Sequence, residues 1–197
     1  MTNLFNFFSF SVFDYGDITS LVNVVRDVCS KHFESGRAII SSEKVVVQNY
    51  FDPPAGGNHD DIFSFWKIDS APDKVFFSSN STDGRYTLCN VLNMKLKCGF
   101  VLCFMSNNLA YPQYYFHHSG SNLINRDILV SKEDSKWEFC TQGEPLKIEN
   151  LDYYNRRRIK DRLNNDIIIS YLHKLGINFN VIDTNIVSSY TFKIKIG

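Results

Sequence analysis

Residues suited to chemistry stand at His59-Asp60-Asp61, at His117-His118, at the cysteines, and in the run Arg156-Arg157-Arg158-Ile159-Lys160-Asp161-Arg162. An imidazole beside two carboxylates could ligate a metal or move a proton. His59, however, follows Asp52-Pro53-Pro54-Ala55-Gly56-Gly57-Asn58, the strongest loop signal in the chain, where a solvated acidic loop is the simpler reading. His117 and His118 are adjacent in a strand-like stretch, so their side chains point to opposite faces and cannot easily share one ion. The five cysteines, Cys29, Cys89, Cys98, Cys103 and Cys140, form no C-x-x-C pair and sit mostly among apolar neighbours. They read as buried free thiols in a reducing compartment, not as a disulfide framework or a zinc ribbon. No phosphate loop, dinucleotide fingerprint or nucleophile elbow occurs, and no cofactor is expected.

The arginine run is the densest charge cluster. As one face of a helix it would be solvated and salt-bridged, with Arg157–Asp161 and Arg162–Asp166 spaced four apart. The same face could contact phosphates or an acidic protein. Acidic groups mirror it at Asp60-Asp61, Glu133-Asp134, Glu144, Glu149 and Asp152.

The elements that carry these residues follow from periodicity. Phe8-Ser9-Phe10-Ser11-Val12 alternates as a strand with one buried face. Asp17 is placed to cap a helix over residues 18–33, whose stripe is Ile18, Leu21, Val22, Val25, Val28, Cys29 and His32, with Gly36 as its left-handed stop. Residues 37–50 read as a strand pair or one bent strand, and Ile62 to Ile68 and Val75 to Phe77 as further strands. Residues 80–98 admit a hairpin at Asp83-Gly84 or a helix bearing Leu88, Val91, Leu92 and Leu96. The helix is preferred, with Gly99 as its stop. Three short antiparallel strands are expected at Gln113–His117, Leu123–Val130 and Lys136–Cys140. A second helix is expected from about Asp152 to Leu175 on the stripe Ile159, Leu163, Ile167, Tyr171, Leu172, Leu175. Tyr190 to Ile196 closes the chain as an alternating strand with lysines on the wet face. The expected fold is α+β: one domain with a mixed, mostly antiparallel sheet flanked by two or three helices.

Composition agrees with a globular chain. Of 197 residues, 44% are hydrophobic and 15% aromatic, and the net charge is zero. Such a charge balance does not suggest wholesale binding to nucleic acid or an anionic membrane. Met1 to Tyr15 lacks the basic start of a signal peptide, and no apolar run approaches the ~20 residues of a membrane span. A cytoplasmic protein is expected.

The stretch from Lys136-Trp137-Glu138-Phe139-Cys140 through Glu149 leads into Tyr153-Tyr154-Asn155-Arg156 and on to Tyr171-Leu172-His173-Lys174-Leu175-Gly176. It resembles the immunity proteins found beside bacterial polymorphic and contact-dependent growth inhibition toxins. That resemblance, over residues 136–176, implies a non-enzymatic protein that binds a cognate toxin and blocks its active site or an adjacent surface. Acidic loops would steer a basic toxin, and aromatics would anchor it. The residues expected to touch the partner are Asp60, Asp61, Tyr114, Tyr115, Glu133, Asp134 and Glu144. The alternatives are an enzyme assembled from His59, Asp60, His117 and the Arg156–Arg162 helix, or an RNA-binding accessory protein using that helix.

Overall fold

A computed structural model describes residues 4–196. Its strands are β1 (Phe7–Phe13), β2 (Ala38–Ser41), β3 (Asp61–Ile68), β4 (Val75–Ser79), β5 (Phe100–Ser106), β6 (Gln113–Ser119), β7 (Asn125–Glu133), β8 (Lys136–Gln142) and β9 (Ile186–Ile194). The helices are α1 (Ile18–Val28), α2 (Ser30–Glu34), α3 (Tyr86–Leu96) and α4 (Asn165–Lys174). The nine strands form one sheet in the order β2-β9-β3-β4-β1-β5-β6-β7-β8. Every pairing is antiparallel. The α+β expectation is met.

Both faces of the sheet are covered, which is why so many rings are needed. One face, with Phe13, Phe63, Phe65, Phe77, Phe100 and Phe192, packs under α1 and α3. The other, with Phe8, Phe10, Trp66, Phe76 and Phe116, packs under α4 and the irregular segments, with Tyr171 and Phe179 from above. Trp66 is fully buried, and its indole N–H donates to the Ile182 carbonyl at 2.6 Å, so its polar edge is satisfied.

β1 departs from expectation: it is central, and both faces are buried. Its serines are spacers. Ser11 Oγ lies 3.5 Å from Cys89 Sγ of α3, and a Cβ on Gly84 would stand 3.4 Å from the Cβ of Ser9. Small side chains on that face let α3 approach the sheet. Asp17 caps α1 as expected, accepting from Thr19 N at 2.9 Å and Ser20 N at 3.2 Å.

Several expectations are corrected. The helix over 18–33 breaks at Cys29 into α1 and α2. In residues 37–50 only β2 is a strand, and Val47–Tyr50 is a 3-10 turn. There Ser189 Oγ accepts from Val45 N and donates to the Glu43 carbonyl, so a side chain replaces a ladder partner. In residues 80–98 the helix forms, but Lys97 at φ 54 ends it, and Gly99 follows. The strand expected from Leu123 starts at Asn125, because Leu123 sits at φ 64 in the preceding turn.

The largest correction concerns 152–175. It is two 3-10 turns, Leu151–Asn155 and Ile159–Asp161, followed by α4. Asn164 restarts the helix by accepting from Ile167 N at 3.1 Å. Upstream, guanidiniums bind loop groups: Arg156 reaches the Asp161 carbonyl at 2.8 Å and Arg162 the Arg156 carbonyl at 3.0 Å. The observed ion pair is Arg158–Asp161, at 2.6 Å, in place of the two expected i,i+4 pairs.

Candidate functional site

The segment that follows β8 is tied to the sheet by a buried ion pair. Arg126 and Glu149 side chains are 4% and 0% exposed, and they meet fork to fork at 2.9 and 2.7 Å. Glu149 also accepts from Leu146 N at 2.8 Å and Tyr154 Oη at 2.6 Å. Arg126 also donates to the carbonyls of Gln142 and Gly143. Burial works against both charges, but these bonds outweigh it: they hold the Glu149 carboxyl below its usual range and the Arg126 guanidinium above its own. Every strong donor and acceptor has a partner, so the cluster is a clamp.

The clamp places the arginine loop over the face of β6–β8 that carries Tyr114, Trp137 and Phe139. Arg156 stacks on Tyr153 at 4.0 Å, and Arg162 lies 5.2 Å from the Phe139 ring centre. Between this loop and residues 108–114 opens a cleft of about 820 Å3, lined by Leu109, Tyr114, Lys132, Trp137, Arg157 and Lys160 among others. Arg156, Arg158 and Arg162 are committed to carbonyls, Asp161 or rings. Among the described residues, the side chains of Arg157, Lys160 and Lys132 make no hydrogen bond or ion pair. Leu109 of the lining is 92% exposed, and Tyr111, next to Pro112 of the lining, is 69% exposed. Unpaired cations beside aromatic and aliphatic walls suit a carboxylate- or phosphate-bearing partner with apolar groups of its own.

The residues expected to touch a partner do not form one surface. Tyr114 lines this cleft, whereas Tyr115 faces the other side of β6 and gives its hydroxyl to Asp127. Glu133 ends β7 and Asp134 opens the turn to β8, beside the cleft. Glu144 follows β8 at the opposite end of the sheet. Asp61 starts β3, several strands away, and Asp60 precedes it; Asp60 pairs with Lys193 at 2.9 Å and Asp61 with Arg85.

The enzyme candidates are also dispersed. His59 joins Asp61, Ser81, Asp83 and Arg85 in a separate cleft of about 490 Å3. There its Nδ1 lies 3.1 Å from the Asp60 carbonyl and Asp83 accepts from Ser81 Oγ. His117 is fully buried between Tyr86 and Phe100, its Nδ1 2.8 Å from Asp127. His118 points to the opposite face, as expected, into a third cleft with Lys74 and Lys97.

Burial pushes the Cys98 and Cys89 thiols up to about 11 and about 12, and raises Cys29 and Cys103 too. Cys140 on β8 is exposed. In the folded protein at neutral pH, a thiol reagent is therefore expected to label Cys140 within minutes and the other four only after unfolding. Rapid labelling of a second thiol would contradict this burial.

Neither periodicity nor residue spacing points to the Arg126–Glu149 clamp or, through it, to the cleft. Arg126 did carry a signal: it shares a strand face with Ile128 and Val130, which are buried, so a charge there needs a partner. Comparisons with protein-family models, curated proteins and solved structures found no match.

Proposed function

We propose that this chain is a stoichiometric binding protein of the immunity type, which docks a toxin domain through the basic and aromatic cleft and occludes its active site or an adjacent surface. The observation that carries the reading is the set Arg157, Lys160 and Lys132, cations without internal partners, grouped around Trp137 and Tyr114. A folded chain gains nothing from holding like charges together, and a partner with carboxylates relieves that repulsion. The segment that resembles immunity proteins, 136–176, supplies β8, the arginine loop and α4, and so builds one wall of the cleft. The docking surface is thus basic, and the partner's complementary patch is acidic. In this reading the protein works in the cytoplasm and needs no cofactor. Among the described residues no helix is long and apolar enough to cross a membrane. A single-stranded RNA is the second occupant that the same cations and Trp137 admit.

The test mixes the purified chain with the product of the gene immediately upstream. A one-to-one complex on size exclusion is expected, together with protection of cells expressing that product. The double variant Arg157→Glu, Lys160→Glu should weaken the complex at least about tenfold, mainly by slowing association. Full affinity in the double variant would remove the cleft from the interface. No complex, with tight salt-dependent binding of an RNA oligomer instead, would favour the RNA reading.

A further inference from the structure

β8 is an edge of the sheet, and its outer side is chemically unfinished. Its partner β7 bonds in alternation. Lys132 N donates to the Pro112 carbonyl on the β6 side, so residues 127, 129, 131 and 133 bond toward β8. The turn agrees: Asp134 and Ser135 have φ of 46° and 67°, the two positive values of a type I′ hairpin, which makes Glu133 and Lys136 a hydrogen-bonded pair. Lys136, Glu138, Cys140 and Gln142 therefore bond inward. Trp137, Phe139 and Thr141 turn their N–H and C=O groups outward. Among the described residues, no backbone hydrogen bond from another segment meets those outward groups.

The other edge strand, β2, spans only Ala38–Ser41, a length that limits pairing. β8 spans seven residues. The side chains of its outward-bonding residues lie on the face covered by the arginine loop. Trp137 lines the cleft, and Arg162 sits over Phe139. A strand laid along this edge would place alternate side chains on the same face as Arg157 and Lys160.

We infer that β8 docks an extended acidic segment of the partner as a tenth strand: main-chain bonds run to Trp137, Phe139 and Thr141, and alternate carboxylates meet the free cations of the arginine loop. This rests on the docking function proposed above and adds the binding mode and the partner's chemistry. Strand addition of this kind takes affinity from the backbone and selectivity from alternate side chains.

The probe is an acetylated, amidated heptapeptide of alternating glutamate and valine, added at millimolar concentration to the 15N-labelled full chain. Amide exchange at Trp137, Phe139 and Thr141 should slow at least tenfold, whereas the peptide N-methylated at alternate residues, and the one with lysine for glutamate, should leave it unchanged. Thr141→Pro removes an outward donor without touching the β7 ladder, and should weaken the peptide about three- to tenfold. Shifts confined to Arg157 and Lys160, without protection of the edge, would overturn strand addition, as would absence of any response. Protection that rises with protein concentration alone, with a dimer mass, would give the edge to a second copy and also overturn it. The toxin complex separates the two proposals. If it is lost in Arg157→Glu, Lys160→Glu but has full affinity in Thr141→Pro, strand addition fails and cleft docking stands. If it is unaffected by both, cleft docking fails as well.

Discussion

Replacing Glu149 with alanine is expected to cost about 3–5 kcal/mol, because it strands the buried Arg126 guanidinium without its partner. The loss should appear in urea unfolding as a lower midpoint at unchanged slope. The double change Arg126→Met, Glu149→Leu should recover much of that stability, since two apolar side chains leave no orphaned charge. If Glu149→Ala shifts stability by less than about 1 kcal/mol, the clamp does not hold the segment after β8.

The pH dependence has a definite sign. Glu149 is held below its ordinary value of 4.5 by Arg126, Tyr154 and the Leu146 amide, against the opposing effect of burial. Its contribution is complete above pH 4.5 and falls as the solution is acidified through the lowered folded value. Burial holds His117 and His118 below 6.5, and these groups favour unfolding as pH drops below 6.5. The limb between 6.5 and 4.5 therefore belongs mainly to the histidines. Glu149→Gln should flatten only the part below it.

Gly143→Ala should be at least as damaging, by a different route. Gly143 has φ +82, and a Cβ there would lie 2.1 Å from the Asn125 carbonyl oxygen. Backbone must move to admit it, and the Gly143 carbonyl, which accepts from Arg126 at 2.8 Å, moves with it. A loss of more than about 4 kcal/mol is expected, the range of a strained φ combined with a broken buried network. Ala at Gly56, where φ is +85 but no atom lies within 4 Å of a Cβ, is the control. It carries the strain of the positive φ without the clash and should lose much less. Equal losses would assign the effect to φ alone.

Legibility in the sequence followed the range of the interaction. α1 was readable because a capping aspartate and an apolar stripe are local; its end at Cys29 was not, because the glycine that signals a stop, Gly36, stands beyond α2. β6–β8 were readable as antiparallel because short connections permit little else. The 152–175 segment misled because Ile159, Leu163 and Ile167 do keep helical spacing and do pack inward. What the stripe does not show is where the arginines find acceptors, and those acceptors are carbonyls of their own loop.

The candidate site was legible only in part. The arginine run and Tyr114 stand out by type, but the acids expected to act with them are distributed over both ends of the sheet. Composition, strand alternation and capping chemistry by themselves determined an α+β fold with a large aromatic core. The tertiary structure alone decided the strand order, the Arg126–Glu149 pairing across 23 residues and the placing of Trp137 and Arg157 in the lining of one cleft. The physical reason is that periodicity reports which side of an element is buried, whereas a cleft depends on which elements are neighbours, and burying a charge fixes that through contacts distant in sequence.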